Sequence, residues 1–211
     1  MIYPSGEMRL GVLGPANDNF IGLARAAQYL VDEAHADRVV YMADDGALER
    51  VVVGWARELV GADPTEEALF KRAARCATAS PGEIDHFVDC ERARLRLKVF
   101  VSLPSGKRRT VEILDGRMVL LVHDKAALDE EDIAAGALFV FGKSGEPMIK
   151  RVGPRMFVTP GPIAMGGGGS ALLDDGAGGI RIEIINAAGA VTARDTLAGA
   201  ALSKVRIQGG S

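Results

Sequence analysis

The sequence has little of what several large classes of function require. Its two cysteines, Cys76 and Cys90, show neither a metal-binding spacing nor a disulfide framework. No apolar run is long enough to span a bilayer, and the first residues do not form an apolar signal segment. Lysine and arginine are scattered and the net charge is -3, which argues against a nucleic-acid surface. We therefore expect a cytoplasmic, reduced protein with no membrane segment and no nucleic-acid partner.

Apolar residues, in contrast, are plentiful enough for a large core. The chain has 211 residues, of which 48% are hydrophobic and 25% charged, as in an ordinary soluble domain. We expect a single domain over residues 1–211, with a core from about residue 8 to residue 197 and flexible ends. The many alanine, glycine and arginine residues are typical of a GC-rich bacterial coding sequence.

The first half of the chain alternates between strand and helix patterns. Residues 8–13 and 37–42 are short apolar runs typical of buried strands, and residues 20–34 place apolar side chains on one helical face. Together these three segments predict a βαβ unit. The pattern further predicts helices over residues 47–60 and 65–77 and a third strand over residues 84–88.

The second half of the chain is rich in strand patterns. Asp115-Gly116 is a hairpin turn signal between two of them, and residues 128–135 predict a short helix. The predicted strands cover residues 95–103, 109–114, 117–122, 138–141, 156–159, 170–173, 180–185 and 191–197. The whole pattern predicts an α/β fold in which two packed sheets are flanked by helices.

The segment Gly142-Lys143-Ser144 has the ending of a phosphate-binding P-loop. That motif requires four residues between its first glycine and Gly-Lys-Ser, whereas Gly136 leaves five here. A helix must also follow, and Pro147 interrupts any helix that starts at this point. The segment therefore does not indicate a nucleotide-binding P-loop.

Two buried strands that end in loops carry a resemblance to a known family. They are Phe139–Met148 and Met156–Pro162, and they resemble the C-terminal part of the small calcineurin-like metallophosphoesterases. In that family the first loop is Gly-His-Thr-His-x-Pro and the second is Asn-Pro-Gly-Ser. The two metal-binding histidines fall on Lys143 and Gly145. The resemblance extends from about Met8 to Leu197 and implies a four-layer α/β/β/α sandwich.

The first three family motifs are only partly kept. Where the family has Asp-x-His after the first strand, this chain has Pro15 in place of the aspartate and Asn17 in place of the histidine. The second motif, Gly-Asp at a strand end, matches Asp44, whose counterpart bridges both metals in the family. The third, Gly-Asn-Cys-Asp, is similar to the segment that contains Asp89.

The fourth motif, a strand followed by His-Gly-His, keeps its first histidine as His123 and has Lys125 at the second. Asp44 and His123 are thus the matching ligands that remain, with Asn17 and Asp89 as further oxygen donors. In the family that the chain resembles, the two-metal site uses Asp and His ligands from all five loops, and such a metal pair activates a bridging hydroxide. The resemblance therefore implies a hydrolase scaffold that has lost most of its metal ligands, with no catalytic residue assigned and no metal cofactor expected.

The first hypothesis is a catalytically inactive scaffold that acts through protein contacts. The family provides a precedent in the retromer complex, whose metallophosphoesterase-like subunit presents a surface to partner proteins. The candidate surface is the predicted helical stretch 47–79, which contains Trp55, Leu59, Leu69 and Phe70. Burial of these side chains within the domain would remove that surface. Self-association into a homo-oligomer is a further expectation.

The second hypothesis is a metal-free phosphate or nucleotide sensor. Lys125 and Lys143 would converge on the former metal site beside His123 and Asn17, and their ammonium groups would replace part of the lost cation charge. This hypothesis predicts a concave, electropositive pocket.

The third hypothesis is a residual phosphodiesterase with one divalent metal, Mn or Zn. The ion would be held by Asp44, His123, Asp89 and Asn17, and one cation can still act as a Lewis acid. The missing aspartate of the first motif places this hypothesis last.

Overall fold

The computed structural model describes residues 8–61, 63–105, 109–163, 167–176 and 178–198. The ends that we expected to be flexible, residues 1–7 and 199–211, lie outside the described residues. Within the described ranges, none of the helices is long and apolar enough to cross a bilayer. The strands and α-helices are, in chain order, β1 (Arg9–Leu13), α1 (Phe20–Asp32), β2 (Arg38–Tyr41), α2 (Ala47–Val60), α3 (Leu69–Ala73), α4 (Pro81–Arg96), β3 (Phe100–Ser102), β4 (Arg109–Leu114), β5 (Arg117–Val122), α5 (Glu130–Ala135), β6 (Leu138–Phe141), β7 (Met148–Val152), β8 (Arg155–Thr159), β9 (Gly169–Gly176), β10 (Gly179–Asn186) and β11 (Val191–Ala198).

The strands form two mixed sheets. The first has the order β11-β10-β9-β1-β2-β3 and the second the order β4-β5-β6-β8-β7. In the first sheet β1, β2 and β3 are parallel, because helices connect them, whereas β9, β10 and β11 pair antiparallel as hairpins. In the second sheet β5, β6 and β8 are parallel and the two edge strands, β4 and β7, are antiparallel.

Alternating side chains along the strands explain how the layers pack. Leu10 and Val12 of β1 point into the core between the two sheets, whereas Leu13 and Tyr41 point to the opposite face, where α1 and α2 cover them. The second sheet contributes Leu114, Val119, Leu121, Leu138, Val140, Met156 and Val158 to the core between the sheets. The predicted architecture, two packed sheets flanked by helices, is therefore confirmed.

The hairpin turn predicted at Asp115-Gly116 is also confirmed. Asp115 has φ +48° and Gly116 has φ +66°, as the two central residues of a mirror-image hairpin turn require. The turn joins β4 to β5 with Leu114 opposite Arg117.

One predicted strand is wrong, because residues 84–88 lie inside the helix α4. The helix begins at Pro81, and both the main-chain N–H and the hydroxyl group of Ser80 donate hydrogen bonds to the Glu83 carboxylate, each 2.7 Å long. Serine followed three residues later by glutamate, with proline at the first helical position, is a helix start signal. That signal outweighs the short apolar run on which the strand prediction was based.

The predicted elements differ from the observed ones in other places as well. Because α4 continues to Arg96 and a 3-10 turn follows at Leu97–Val99, the strand predicted over residues 95–103 shortens to β3. The helix predicted over residues 65–77 is the short α3 followed by the 3-10 turn Ala74–Thr78. The edge strand β7 was not predicted, because its consecutive charged residues interrupt the alternation that marks a half-buried strand.

Candidate functional site

A cavity of about 560 Å³ opens where the loops after β1, β2, β5, β6 and β8 come together. These loops follow the carboxyl ends of strands in both sheets, which is where ligands bind in many α/β proteins. The cavity is lined by Pro15, Asn17, Ala43, Asp44, Asp45, His123, Lys143, Ser144, Gly145 and Pro162.

Glycines allow the loops to approach this closely. A Cβ atom on Gly14 would collide with the main-chain carbonyl oxygen of Gly161, and one on Gly142 would collide with the carbonyl oxygen of Met42. Gly161 also has φ +72°, a conformation that L side chains rarely adopt. Main chain therefore packs directly on main chain where these loops meet.

A buried tyrosine links two of the loops. The hydroxyl group of Tyr41 accepts a hydrogen bond from the Ala16 main-chain N–H and donates one to the Asp45 carboxylate, both 3.0 Å long. Asp45 also accepts from the Ala47 N–H, 2.9 Å away, at the start of α2. Burial raises the pKa of the Tyr41 phenol well above its ordinary value, so the hydroxyl group stays protonated and remains a donor.

His123 is held by a main-chain acceptor from the other sheet. Its Nδ1 atom lies 2.9 Å from the carbonyl oxygen of Met42. A carbonyl oxygen accepts hydrogen bonds and cannot donate them, so Nδ1 carries the proton and Nε2 of the neutral ring keeps its lone pair. The same arrangement orients histidines that bind metal ions in proteins.

Lys143 stands where the family that the chain resembles has a metal-binding histidine, and its ammonium group already has an ion-pair partner. Its Nζ atom lies 2.7 Å from Oδ2 of Asp124. This hydrogen bond holds the pKa of the Asp124 carboxyl below its ordinary value. The ammonium group is therefore part of an ion pair at the rim of the cavity, and it cannot serve as a metal ligand because it has no lone pair.

The structure brings together four of the residues singled out from the sequence. Asn17, Asp44, His123 and Lys143 all line the cavity. Asn17 has φ +48°, which asparagine tolerates better than most residues. Whether any of these side chains binds a ligand remains a prediction.

Two other candidates are not brought to the cavity. Lys125 lies in a 3-10 turn, with its Nζ atom 5.8 Å from the centre of the Phe141 ring, and it is not among the lining residues. Asp89 lies on α4 as an exposed residue that pairs with Arg92 at 3.5 Å. The similarity of the Asp89 segment to the third family motif therefore does not place an oxygen donor at the cavity.

Asp45 and Ser144 line the cavity but were not among the site residues predicted from the sequence. Asp45 follows a matched motif residue and precedes a helix, where an aspartate is typical of a helix cap, and that signal could have identified it. Ser144 is adjacent to Lys143, and its hydroxyl group donates to the carbonyl oxygen of Glu146, 2.7 Å away.

The lining residues do not fit the two-metal group of the hydrolases that the sequence resembles. Pro15, Lys143 and Gly145 supply no ligand atom from their side chains. Among the described residues there is no group of three or more His, Cys, Asp or Glu side chains that could hold a metal ion. The charges also differ from those that an anion site requires, since Asp44 and Asp45 line the same cavity as Lys143. The electropositive pocket predicted by the second hypothesis is therefore not what the lining residues form.

Comparisons with known proteins identify the fold. No family model matches the chain, and no curated protein matches it. A conserved uncharacterized protein from Streptococcus pneumoniae, a predicted phosphoesterase, is 12% identical over 90% of this chain and 98% of its own, with a TM-score of 0.51. A novel archaeal phosphodiesterase is 14% identical over 84% of this chain and 100% of its own, also with a TM-score of 0.51. The chain has the calcineurin-like metallophosphoesterase fold.

Proposed function

We propose that this protein is a non-catalytic member of the metallophosphoesterase fold that acts through contacts with another protein. The observation that carries the proposal is the set of residues at the cavity: Pro15, Lys143 and Gly145 stand where the resemblance places metal ligands. The fold is kept, and the donor atoms that would make it a hydrolase are replaced.

The chemistry of phosphodiester hydrolysis explains why these replacements matter. A pair of divalent cations activates the attacking hydroxide and stabilises the charge on the phosphate oxygens. Asp44 and His123 provide at most part of the ligand set for one cation, whereas structural and catalytic sites use three or more protein ligands. The cavity thus retains the shape of an active site without the means to hold its metals.

Exposed apolar side chains on the helical layer support a role in protein contacts. Ile21 at the start of α1 is 69% exposed and Phe70 of α3 is 83% exposed. Of the stretch predicted from the sequence, Trp55 is half-buried, with its ring 5.5 Å from that of Phe100, and Leu59 and Leu69 are also half-buried. The candidate surface is therefore kept in part, and α1 adds an exposed apolar residue, Ile21, that the sequence did not indicate.

The test is to measure metal content and phosphodiesterase activity together. We expect protein purified without chelator to contain far less than one metal ion per chain, and added Mn²⁺ to give no turnover above the blank. The matched control is Asp44→Ala, which should behave as the unmodified protein does. Near-stoichiometric metal, with a turnover that Asp44→Ala abolishes, would restore the hydrolase function and refute the proposal.

A further inference from the structure

The two helices that cover the first sheet leave an open groove between them. This α1–α2 groove has a volume of about 500 Å³. It is lined by Phe20, Ile21, Ala24, Arg25, Arg50, Val51, Gly54, Trp55 and Glu58. The lining residues recur at helical spacing on both helices, so one face of α1 and one face of α2 form the two walls.

Gly54, in the interior of α2, is not required by the fold. A glycine in the middle of a helix costs about 1 kcal/mol relative to alanine. A Cβ atom added at Gly54 would have no neighbour within 4 Å, so no packing in the described structure explains the glycine. What glycine provides at this position is room for another chain to approach the helix backbone, and Ala24 on the facing wall leaves room as well.

The side chains that line the groove carry more positive than negative charge, whereas the chain as a whole is negative. Arg25 and Arg50 are positive and Glu58 is the single acidic residue of the lining, although the chain carries a net charge of -3. The guanidinium group of Arg50 lies 4.7 Å from the centre of the Phe20 ring, and it also donates to the carbonyl oxygen of Asp45, 3.2 Å away. Arg50 is therefore held in place at the edge of an apolar surface, where it is complementary to an acidic group.

We propose that the α1–α2 groove binds one amphipathic helix of a partner protein. The apolar face of that helix packs on Phe20, Ile21, Val51 and Trp55, and its acidic side chains pair with the two arginines. An extended peptide would leave main-chain N–H and C=O groups unpaired against an apolar surface, whereas a helix satisfies them internally. This inference deepens the proposed function and rests on it, since it names the kind of partner that a non-catalytic protein contacts.

The test is a selection from a displayed library of 18-residue helix-forming peptides against the full chain. Gly54→Leu fills the groove at a position where the fold has open space, so the variant is expected to stay folded, which circular dichroism checks. Gly82→Leu is the matched control, because Gly82 also lies in a helix with no neighbour near its Cβ position. Peptides should enrich on the unmodified chain and on Gly82→Leu, but not on Gly54→Leu.

The selected peptides should carry apolar residues at helical spacing with acidic residues beside them. Their Kd should rise at least about tenfold, or 1.4 kcal/mol, in Gly54→Leu and in Arg25→Glu/Arg50→Glu. The inference is overturned if no peptide enriches, if enriched peptides bind Gly54→Leu equally well, or if they lack acidic residues. It is also overturned if the chain is a dimer that Gly54→Leu converts to a monomer, since a second copy would then occupy the groove.

This test is independent of the test of the proposed function. If the protein is metal-free and inactive and its groove selects no peptide, only the inference about helix binding is refuted. A protein with metal and with activity that depends on Asp44 would refute the proposed function, whatever the peptides do.

Discussion

His123 and Met42 join the two sheets at the cavity, through a hydrogen bond of 2.9 Å from the histidine ring to the Met42 carbonyl oxygen. Met42 follows β2 of the first sheet and His123 follows β5 of the second. The bond therefore links a loop of one sheet directly to a loop of the other. It leaves Nε2 of His123 as an acceptor beside Asp44 and Asn17 in the cavity lining.

We predict that neutral His123 is a single tautomer with the proton on Nδ1, because the carbonyl oxygen can only accept. The measurement is a two-bond ¹H–¹⁵N correlation spectrum of the imidazole nitrogens at pH 8. His35, which is exposed, serves as the control and should show averaged tautomers. A proton on Nε2 of His123 would contradict the hydrogen bond to Met42.

Tyr41→Phe should destabilise the protein by about 1–3 kcal/mol, because it leaves the buried Ala16 N–H without an acceptor. The measurement is the free energy of unfolding from urea titration. Tyr29→Phe is the matched control: it loses one bond to the Gly189 carbonyl oxygen in a half-buried setting and should cost about 1 kcal/mol. Equal effects of the two variants would show that Tyr41 does not link the loops.

Glu91 lies between two arginines in the helical layer, and both contacts are largely buried. Its carboxylate is 2.6 Å from Nε of Arg72 and 2.7 Å from Nε of Arg94. The two guanidinium groups in turn donate to main-chain oxygens of Asp63, Thr65 and Pro64. Glu91 thus links the segment before α3 to α4 through these two arginines.

Glu91→Gln should cost about 3–5 kcal/mol of unfolding free energy, because it leaves two buried guanidinium groups without a counter charge. Asp89→Asn, two residues away on the exposed face of the same helix, is the control and should change stability by no more than about 0.5 kcal/mol. Urea unfolding followed by Trp55 fluorescence measures both. A loss below about 1 kcal/mol for Glu91→Gln would show that the network contributes little.

The same carboxylate predicts how stability depends on pH. Burial opposes ionisation of Glu91, but the hydrogen bonds from Arg72 and Arg94 outweigh it and hold its pKa below the ordinary value. A lowered native pKa stabilises the fold above the unfolded pKa of about 4.3, and this contribution is lost as the pH falls through the native value. Unfolding free energies measured between pH 7 and pH 3 should therefore fall less steeply in Glu91→Gln than in the unmodified chain. If the unfolding free energies of the two proteins fell in parallel with pH, the lowered pKa of Glu91 would be contradicted.

Ligands restored at the cavity should restore metal binding. The triple variant Pro15→Asp/Asn17→His/Gly145→His surrounds one cavity with five donors when Asp44 and His123 are included. We expect it to bind Zn²⁺ at least about tenfold more tightly than the unmodified chain, as measured by isothermal titration calorimetry. The same triple variant with Asp44→Ala is the control and should lose most of the gain. Equal affinities for the unmodified chain and the triple variant would show that these positions do not share a site.

Local patterns predicted much of the fold and failed where two local signals competed. The parallel strands were predictable because each is a short apolar run bounded by polar residues, and the hairpin turn at Asp115-Gly116 needs only two residues. The run at residues 84–88 satisfies both strand and helix patterns, and the start signal at Ser80 decides for the helix. Within the site, Asp44 and His123 were predictable, because the spacing of motifs along the chain identifies them.

What the sequence determined by itself is most of the strands and helices and the set of donor atoms present near the motifs. Pro15, Lys143 and Gly145 lack suitable ligand atoms in any fold, because that property belongs to the side chains. Only the tertiary structure decided which residues meet. It places Asp45 in the cavity and Lys125 outside it, and it forms the α1–α2 groove from two helices that are separated along the chain by β2. Distances between such residues depend on how sheets and helices pack, and no local pattern encodes that packing.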